Sequence, residues 1–228
     1  MQASTVVVPQ DVSTPYAAKD QAYFSGARSD FVACLPEDGS ARVLEVGCGT
    51  GATGAMALQC GRASQYVGVE LFPSAAADAE AVLSDVVVGD VETLELDWQP
   101  AAFDALLLSE VVEHLREPGA VLKKLDRFLR PGALVFASSP NISHWRVIRK
   151  LIRGEFPQED RGVFDRTHLR WFTPESYCML FEQHGFVVEW AGPVTPPSRR
   201  TRMISRFTGG AFDHLFMTQV CVIARKRG

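Results

Sequence analysis

Glu110, Glu113 and His114 stand in the string Ser109-Glu110-Val111-Val112-Glu113-His114-Leu115, directly after an apolar run. On a helical turn, positions i, i+3 and i+4 share one face, so two carboxylates and an imidazole can converge on one point. Convergent oxygen and nitrogen donors suit a divalent ion such as Mg²⁺ or Mn²⁺. Without an ion, His114 can still act as a general base, or the three residues can be polar groups satisfied by packing.

A second constellation is Val43-Leu44-Glu45-Val46-Gly47-Cys48-Gly49-Thr50-Gly51, an apolar run that ends beside a carboxylate and enters a glycine turn. Glycines take positive φ and let a ligand approach the main chain, while the following helix directs unpaired N–H groups into the same space. Gly49-x-Gly51-x-x-Gly54 also fits a dinucleotide fingerprint, so hydride transfer with NAD or FAD competes with methyl transfer from S-adenosylmethionine (SAM). Glu70, about 20 residues further on, sits where either class binds ribose hydroxyls. Asp90 ends a third apolar run, Val86-Val87-Val88-Gly89. Three carboxylates at three successive strand ends point to one ligand site, since open α/β sheets bind ligands at those ends.

The string Leu44 to Gly51 resembles the first motif of class I SAM-dependent methyltransferases. That resemblance implies that Glu45, Gly47, Cys48, Gly49 and Gly51 hold the methionine part of the cofactor and that Glu70 and Leu71 meet the ribose. It further implies that Asp90 accepts from the adenine amino group, that Val91 contacts the ring, and that Tyr16, Ser109 and Glu110 complete the pocket. The E-x-x-E-H string resembles the metal site of plant-type small-RNA 2′-O-methyltransferases and is similar to a segment of ubiquinone-pathway O-methyltransferases. Those enzymes add a second histidine, matched here by His168 in Asp165-Arg166-Thr167-His168-Leu169-Arg170-Trp171-Phe172-Thr173. The implied metal ligands are Glu110, Glu113, His114 and His168, with His114, His168 and Glu110 as the catalytic set. Over nearly the whole chain, including Pro140-Asn141, the sequence resembles bacterial methyltransferases often found beside glycosyltransferases. The expectation is methyl transfer from SAM, leaving S-adenosylhomocysteine (SAH), to a hydroxyl oxygen of a small-molecule or sugar-containing acceptor, anionic ones included. A metal-dependent RNA 2′-O-methyltransferase, a non-catalytic SAM-binding protein and an NAD(P)-dependent oxidoreductase are the alternatives.

The elements that must position these residues alternate along the chain. Strands are expected near 42–46, 66–70, 85–89, 103–109, 133–138, 186–190 and 217–224, and helices near 15–34, 51–60, 73–83, 118–129 and 174–184. This pattern predicts a Rossmann-like, doubly wound α/β sheet of seven strands, for which the resemblance adds the order 3-2-1-4-5-7-6 with the last strand antiparallel. One domain over 1–228 is expected, with 1–40 as a helical lid and the long connections 140–172 and 192–214 as substrate caps. The stretch 198–206 reads as an arginine-rich loop. Residues 1–138 carry a net charge of −10 and residues 139–228 a net +6, against −4 overall, so the second half can attract an anionic acceptor; nucleic acid is a lesser expectation. Five cysteines without a C-x-x-C pair indicate neither a disulfide framework nor a zinc site. With no signal peptide or membrane span recognisable, the cytoplasm is the expected compartment.

Overall fold

The apolar runs become the strands of one sheet in the computed structural model, which describes residues 26–228. Strands β1 (Ala41–Val46), β2 (Ala63–Glu70), β3 (Asp85–Val88), β4 (Phe103–Ser109), β5 (Leu129–Pro140), β6 (Phe186–Pro193) and β7 (Gln219–Lys226) lie in the order β3-β2-β1-β4-β5-β7-β6. Strand β7 runs antiparallel to β5 and β6, whereas β1 to β5 pair in parallel. The helices are α1 (Ser29–Cys34), α2 (Ala52–Gln59), α3 (Pro73–Glu80), α4 (Pro118–Asp126), α5 (Trp145–Ile152), α6 (Pro174–Gln183) and α7 (Arg199–Thr208). No described helix is long and apolar enough to cross a membrane.

Strand periodicity divides the core into two layers. Leu44, Val46, Leu106 and Leu108 face one side with Leu122, Leu125, Tyr177 and Phe181. Val43, Ala105 and Leu107 face the other with Phe31, Ala57, Tyr66 and Phe136. Strand β4 is buried on both faces from Phe103 to Leu108, as a central parallel strand must be, and its register against β1 puts both carboxyl ends on one edge.

Several boundaries differ from expectation. Of the helix expected over 15–34, the described residues form α1, and Gly26 to Arg28 before it are non-helical; the part before residue 26, Tyr16 included, lies outside the described residues. The helix expected to reach residue 129 stops at Asp126, and β5 already begins at Leu129. Gly132, at φ +75°, falls within the resulting register shift, so Arg130-Pro131-Gly132 is an irregular strand start rather than a stop before a strand. The stretch 198–206 forms most of α7. The Ser198 hydroxyl accepts from the Thr201 amide, and Gly209 in the left-handed region ends the helix. Helix α5 occupies part of the 140–172 connection.

Candidate functional site

The glycine turn after β1 is held from two directions. The Gly47 amide donates to the Val69 carbonyl at 2.8 Å, and the Gly49 amide donates to Glu70 Oε2 at 2.8 Å. Glu70 Oε1 accepts from the Phe72 amide, so this carboxylate ties the turn to the end of β2. Gly47 has φ +71°, and a Cβ there would stand 2.7 Å from Val111 Cγ2, leaving no room for a side chain. Beside it, Glu45 is 4% exposed and accepts a 2.9 Å hydrogen bond from the Tyr66 hydroxyl. Burial, joined by the nearby Glu70 charge, raises its pKa to about 8 against the opposing pull of Tyr66 and Arg28. Burial also raises the Glu70 pKa, against the hydrogen bonds from the Phe72 and Gly49 amides.

These groups line a cavity of about 970 Å³ at the carboxyl edge of the sheet, together with Cys48, Leu71, Asp90, Val91, Ser109, Glu110, His114 and His168. Gly51 lies outside that lining; its φ of +78° starts α2. Asp90 accepts from Arg116 Nη2 and from the Glu92 amide, both at 2.9 Å, so an adenine amino group would share its oxygens.

The other side of the cavity is set by a 3₁₀ turn, Val112–His114. The regular helical turn expected for Glu110, Glu113 and His114 is not formed. Glu110 instead takes φ +55°, a strain of roughly 1–3 kcal/mol for a residue with a Cβ. Its side chain accepts from Ser138 Oγ and Gln219 Nε2, each at 3.0 Å. Burial raises the Glu110 pKa against these two hydrogen bonds.

Glu113 and His114 meet His168 instead. Among the described residues these three can bring one ligand atom each within 4.8 Å of one another, without Glu110. Glu113 is 1% exposed, and among the described residues neither of its oxygens has a hydrogen-bond partner. The Ser139 hydroxyl favours its charged form electrostatically but falls short of hydrogen-bond geometry. Burial and the adjacent Glu110 charge hold the Glu113 pKa well above the usual carboxylate range. The His114 and His168 rings lie 4.7 Å apart, with Nδ1 at the carbonyls of Thr167 (3.1 Å) and Val163 (3.2 Å) respectively. A neutral ring that donates Nδ1–H to a carbonyl carries its lone pair on Nε2, the tautomer that takes up a proton or coordinates an ion.

The surrounding motifs are turn scaffolds. Asp165 Oδ1 accepts from the Thr167 amide (2.9 Å) and hydroxyl (2.6 Å), and the His168 amide reaches the Asp165 carbonyl (3.0 Å), so the D-x-T-H block orients His168. The Glu113 carbonyl accepts from the Leu169 and Arg170 amides, docking that block on the 3₁₀ turn. Asn141, fully buried, donates to the carbonyls of His214 (2.7 Å) and Met217 (2.8 Å) and accepts from Ser143, which fixes the end of β5 against the chain entering β7. Sequence reasoning missed Arg28, whose Nη1 donates to the Ser109 and Ser138 hydroxyls and whose guanidinium lies 5.1 Å from the Phe136 ring centre. It also missed Gln219; neither residue stands in a motif, and both reach the cavity only through tertiary packing.

Comparison with known proteins agrees with this geometry. A family model described as Methyltransferase domain matches residues 16–190. A ubiquinone biosynthesis O-methyltransferase of Xanthomonas campestris pv. campestris (strain B100) is 33% identical over 120 residues, covering 50% of this chain and 49% of the relative. The chain thus spans about half the length of the curated relatives it matches. Among solved structures, an S-adenosylmethionine-dependent methyltransferase from Mesorhizobium loti superposes with TM-score 0.61 at 19% identity, covering 87% of this chain and 96% of that one. A SAM-dependent methyltransferase from Archaeoglobus fulgidus gives TM-score 0.61 at 21% identity, covering 90% and 97%. The sheet order, the glycine turn and the family match together establish that the chain belongs to the class I SAM-dependent methyltransferases.

Proposed function

We propose that this domain transfers a methyl group from SAM to a hydroxyl oxygen of a small-molecule acceptor. The observation that carries this reading is the Glu113–His114–His168 cluster, whose two imidazoles line the same cavity as the glycine turn. Bound SAM supplies an electrophilic methyl group on a positively charged sulfur. The Gly47–Gly49 backbone and Glu45 receive the methionine part, where a buried carboxylate suits an ammonium group. Glu70 retains lone pairs for ribose hydroxyls beyond its two amide bonds. Asp90 and Val91 frame the adenine, and Leu71, Ser109 and Glu110 complete the wall; Tyr16 belongs to this proposal by sequence only.

On the acceptor side, His114 and His168 are the proton acceptors. As the hydroxyl oxygen takes the methyl group, its proton passes to an imidazole Nε2. The cluster also fits a divalent cation, since Glu113 is a buried carboxylate with two unbonded oxygens flanked by two imidazoles. Such an ion, held by Glu113, His114 and His168, would occupy the imidazole Nε2 atoms and, in place of proton uptake by them, would supply Lewis acidity that lowers the pKa of a hydroxyl beside it. The relatives named ubiquinone biosynthesis O-methyltransferases support oxygen as the methylated atom. A small or sugar-bearing acceptor is favoured over RNA because cationic side chains of α5 are engaged locally: Arg146 and Arg149 lie over the Trp145 ring, and Lys150 pairs with Glu159 at 2.7 Å.

The test is calorimetry with SAM, SAH and NAD, followed by a screen of hydroxyl acceptors with labelled SAM. Binding of SAM and SAH, with labelled product lost in His168→Ala and reduced by a chelator, is the expected result. Binding of NAD with neither methyl-cofactor form would overturn the cofactor assignment. Turnover unchanged in His168→Ala and in chelator would remove the cluster from the chemistry.

A further inference from the structure

Helix α7 has its amphipathic faces reversed relative to a helix that docks on a core. Thr201, Ser205 and Thr208, spaced by four and three, form its half-buried side. Met203, Ile204 and Phe207 point outward and are 57%, 38% and 83% exposed, and no residue of the helix is buried. A helix stabilised by burial would turn the second set inward.

The charges beside that apolar strip share one sign. Arg199, Arg200, Arg202 and Arg206 lie within this ten-residue helix, which has no acidic residue, and all four are exposed. Among the described residues none of them forms an ion pair, whereas Arg28, Arg42, Arg62 and Arg116 all do. At 100° per residue, Arg199, Arg202 and Arg206 flank one edge of the Met203–Phe207–Ile204 strip, while Arg200 projects at its N-terminal end, where a long guanidinium stem can reach back to the headgroups. An exposed apolar strip edged by arginines, on a helix anchored from behind, is the pattern of a helix lying in the plane of a lipid surface.

The anchoring is specific. Ser205 Oγ donates to Asp213 Oδ2 at 2.9 Å, and the His214 carbonyl next to it accepts from Asn141. Helix α7 follows β6, whose last residue Pro193 pairs with Val220, and the adjoining Thr218 and Gln219 line the cavity. The helix therefore stands at the sheet edge that carries the cavity. Phe212, half exposed, extends the apolar surface past the Gly209-Gly210 turn.

We propose that α7, with Phe212, is an interfacial helix that seats this domain on an anionic lipid surface. Charge complementarity selects that occupant: four unpaired guanidinium groups match phosphate headgroups while Met203 and Phe207 enter the acyl boundary. A second copy of this chain is disfavoured because a two-fold contact through α7 would set arginine against arginine. The inference is independent of which acceptor is methylated.

The experiment is co-sedimentation of the full chain with vesicles of mixed phosphatidylglycerol and phosphatidylcholine, against phosphatidylcholine alone, at low and high salt. Binding to the mixed vesicles, weakened by salt, is expected. Arg202→Gln and Arg206→Gln should each weaken it by about fivefold, and Phe207→Ser by about tenfold or more. The thermal midpoint should be unchanged in all three, because these side chains are exposed. Absence of binding to the mixed vesicles, or binding indifferent to Phe207→Ser, overturns the proposal. Tighter binding to single-stranded RNA without vesicle binding overturns it in favour of nucleic acid, and a change of oligomeric state in Phe207→Ser without vesicle binding overturns it in favour of a second copy.

Discussion

Glu45 gives the sharpest test of the cofactor side, because its carboxyl is fully buried yet faces the cavity. Its pKa of about 8, set first by burial and then by Glu70 against Tyr66 and Arg28, leaves it about nine-tenths protonated near neutrality. The folded value lies above the unfolded value of 4.5, so the folded state binds more protons between the two. The stability this confers is fully present below 4.5 and is lost as pH rises toward 8, in all about 5 kcal/mol. A cationic ammonium group placed beside Glu45 favours its charged form, so SAM binding should expel that proton. At about pH 7 the release approaches one proton, and affinity should rise by up to about tenfold between about pH 6 and 7. Calorimetry in buffers of different ionisation enthalpy measures the release, and thermal melts across pH measure the stability slope. In Glu45→Gln, which can still accept from the Tyr66 hydroxyl, both the release and most of the slope should vanish and SAM should bind more weakly. A variant with unchanged affinity and unchanged proton release would refute the assignment of Glu45 to the methionine part.

Two further substitutions test the scaffold. Gly47→Ala should cost roughly 1–2 kcal/mol from its left-handed backbone and should also abolish SAM binding, because its Cβ meets Val111 at 2.7 Å. Gly61→Ala is the control: it has φ +64° with nothing within 4 Å, so it should show only the backbone part of that destabilisation in melts and normal binding. Asn141→Ala strands the His214 and Met217 carbonyls and should lower unfolding free energy in urea by about 2–3 kcal/mol; a loss below about 0.5 kcal/mol would show that water replaces the amide.

The glycine-turn side of the cavity was legible in the sequence because each of its carboxylates lies along the chain at the strand that delivers it. Glu45 is the penultimate residue of β1, Glu70 the last of β2, and Asp90 follows β3 by two residues, and the sheet order brings those three strand ends to one edge. The opposite side of the cavity was legible only in part. A spacing rule for a helical turn grouped Glu110 with Glu113 and His114, but it could not foresee the left-handed backbone that turns Glu110 toward Ser138 and Gln219. His168 was found through its D-x-T-H block, and the structure gives the reason for the block: Asp165 and Thr167 form the turn that holds the imidazole. Arg28 and Gln219 left no local signal, since their roles depend on contacts 81 and 109 residues away. In α7 the prolines at 193, 196 and 197 suggested a loop, while Ser198 immediately after them caps a helix whose apolar side faces outward.

The balance of charge in the cavity bears on cofactor choice more directly than the glycines do. Buried Glu45 and Glu70 and half-buried Glu110 line it, buried Glu113 adjoins His114 and His168, all four carboxyls have a raised pKa, and Arg28, half-buried in the same lining, is paired with Asp30 at 2.8 Å. A dinucleotide would bring its pyrophosphate to the glycine turn, where Glu45 and Glu70 stand within Coulombic reach of one another, and would have to keep both protonated. A ligand with an ammonium and a sulfonium group does the reverse, because each positive centre it brings stabilises a carboxylate that burial alone disfavours. The same logic applies across the cavity, where the unbonded Glu113 oxygens between two imidazoles favour a cation or a proton over any anionic group. An anionic acceptor would therefore have to place its charge away from this cluster, toward the arginines of the chain's second half, and offer the cluster only its hydroxyl.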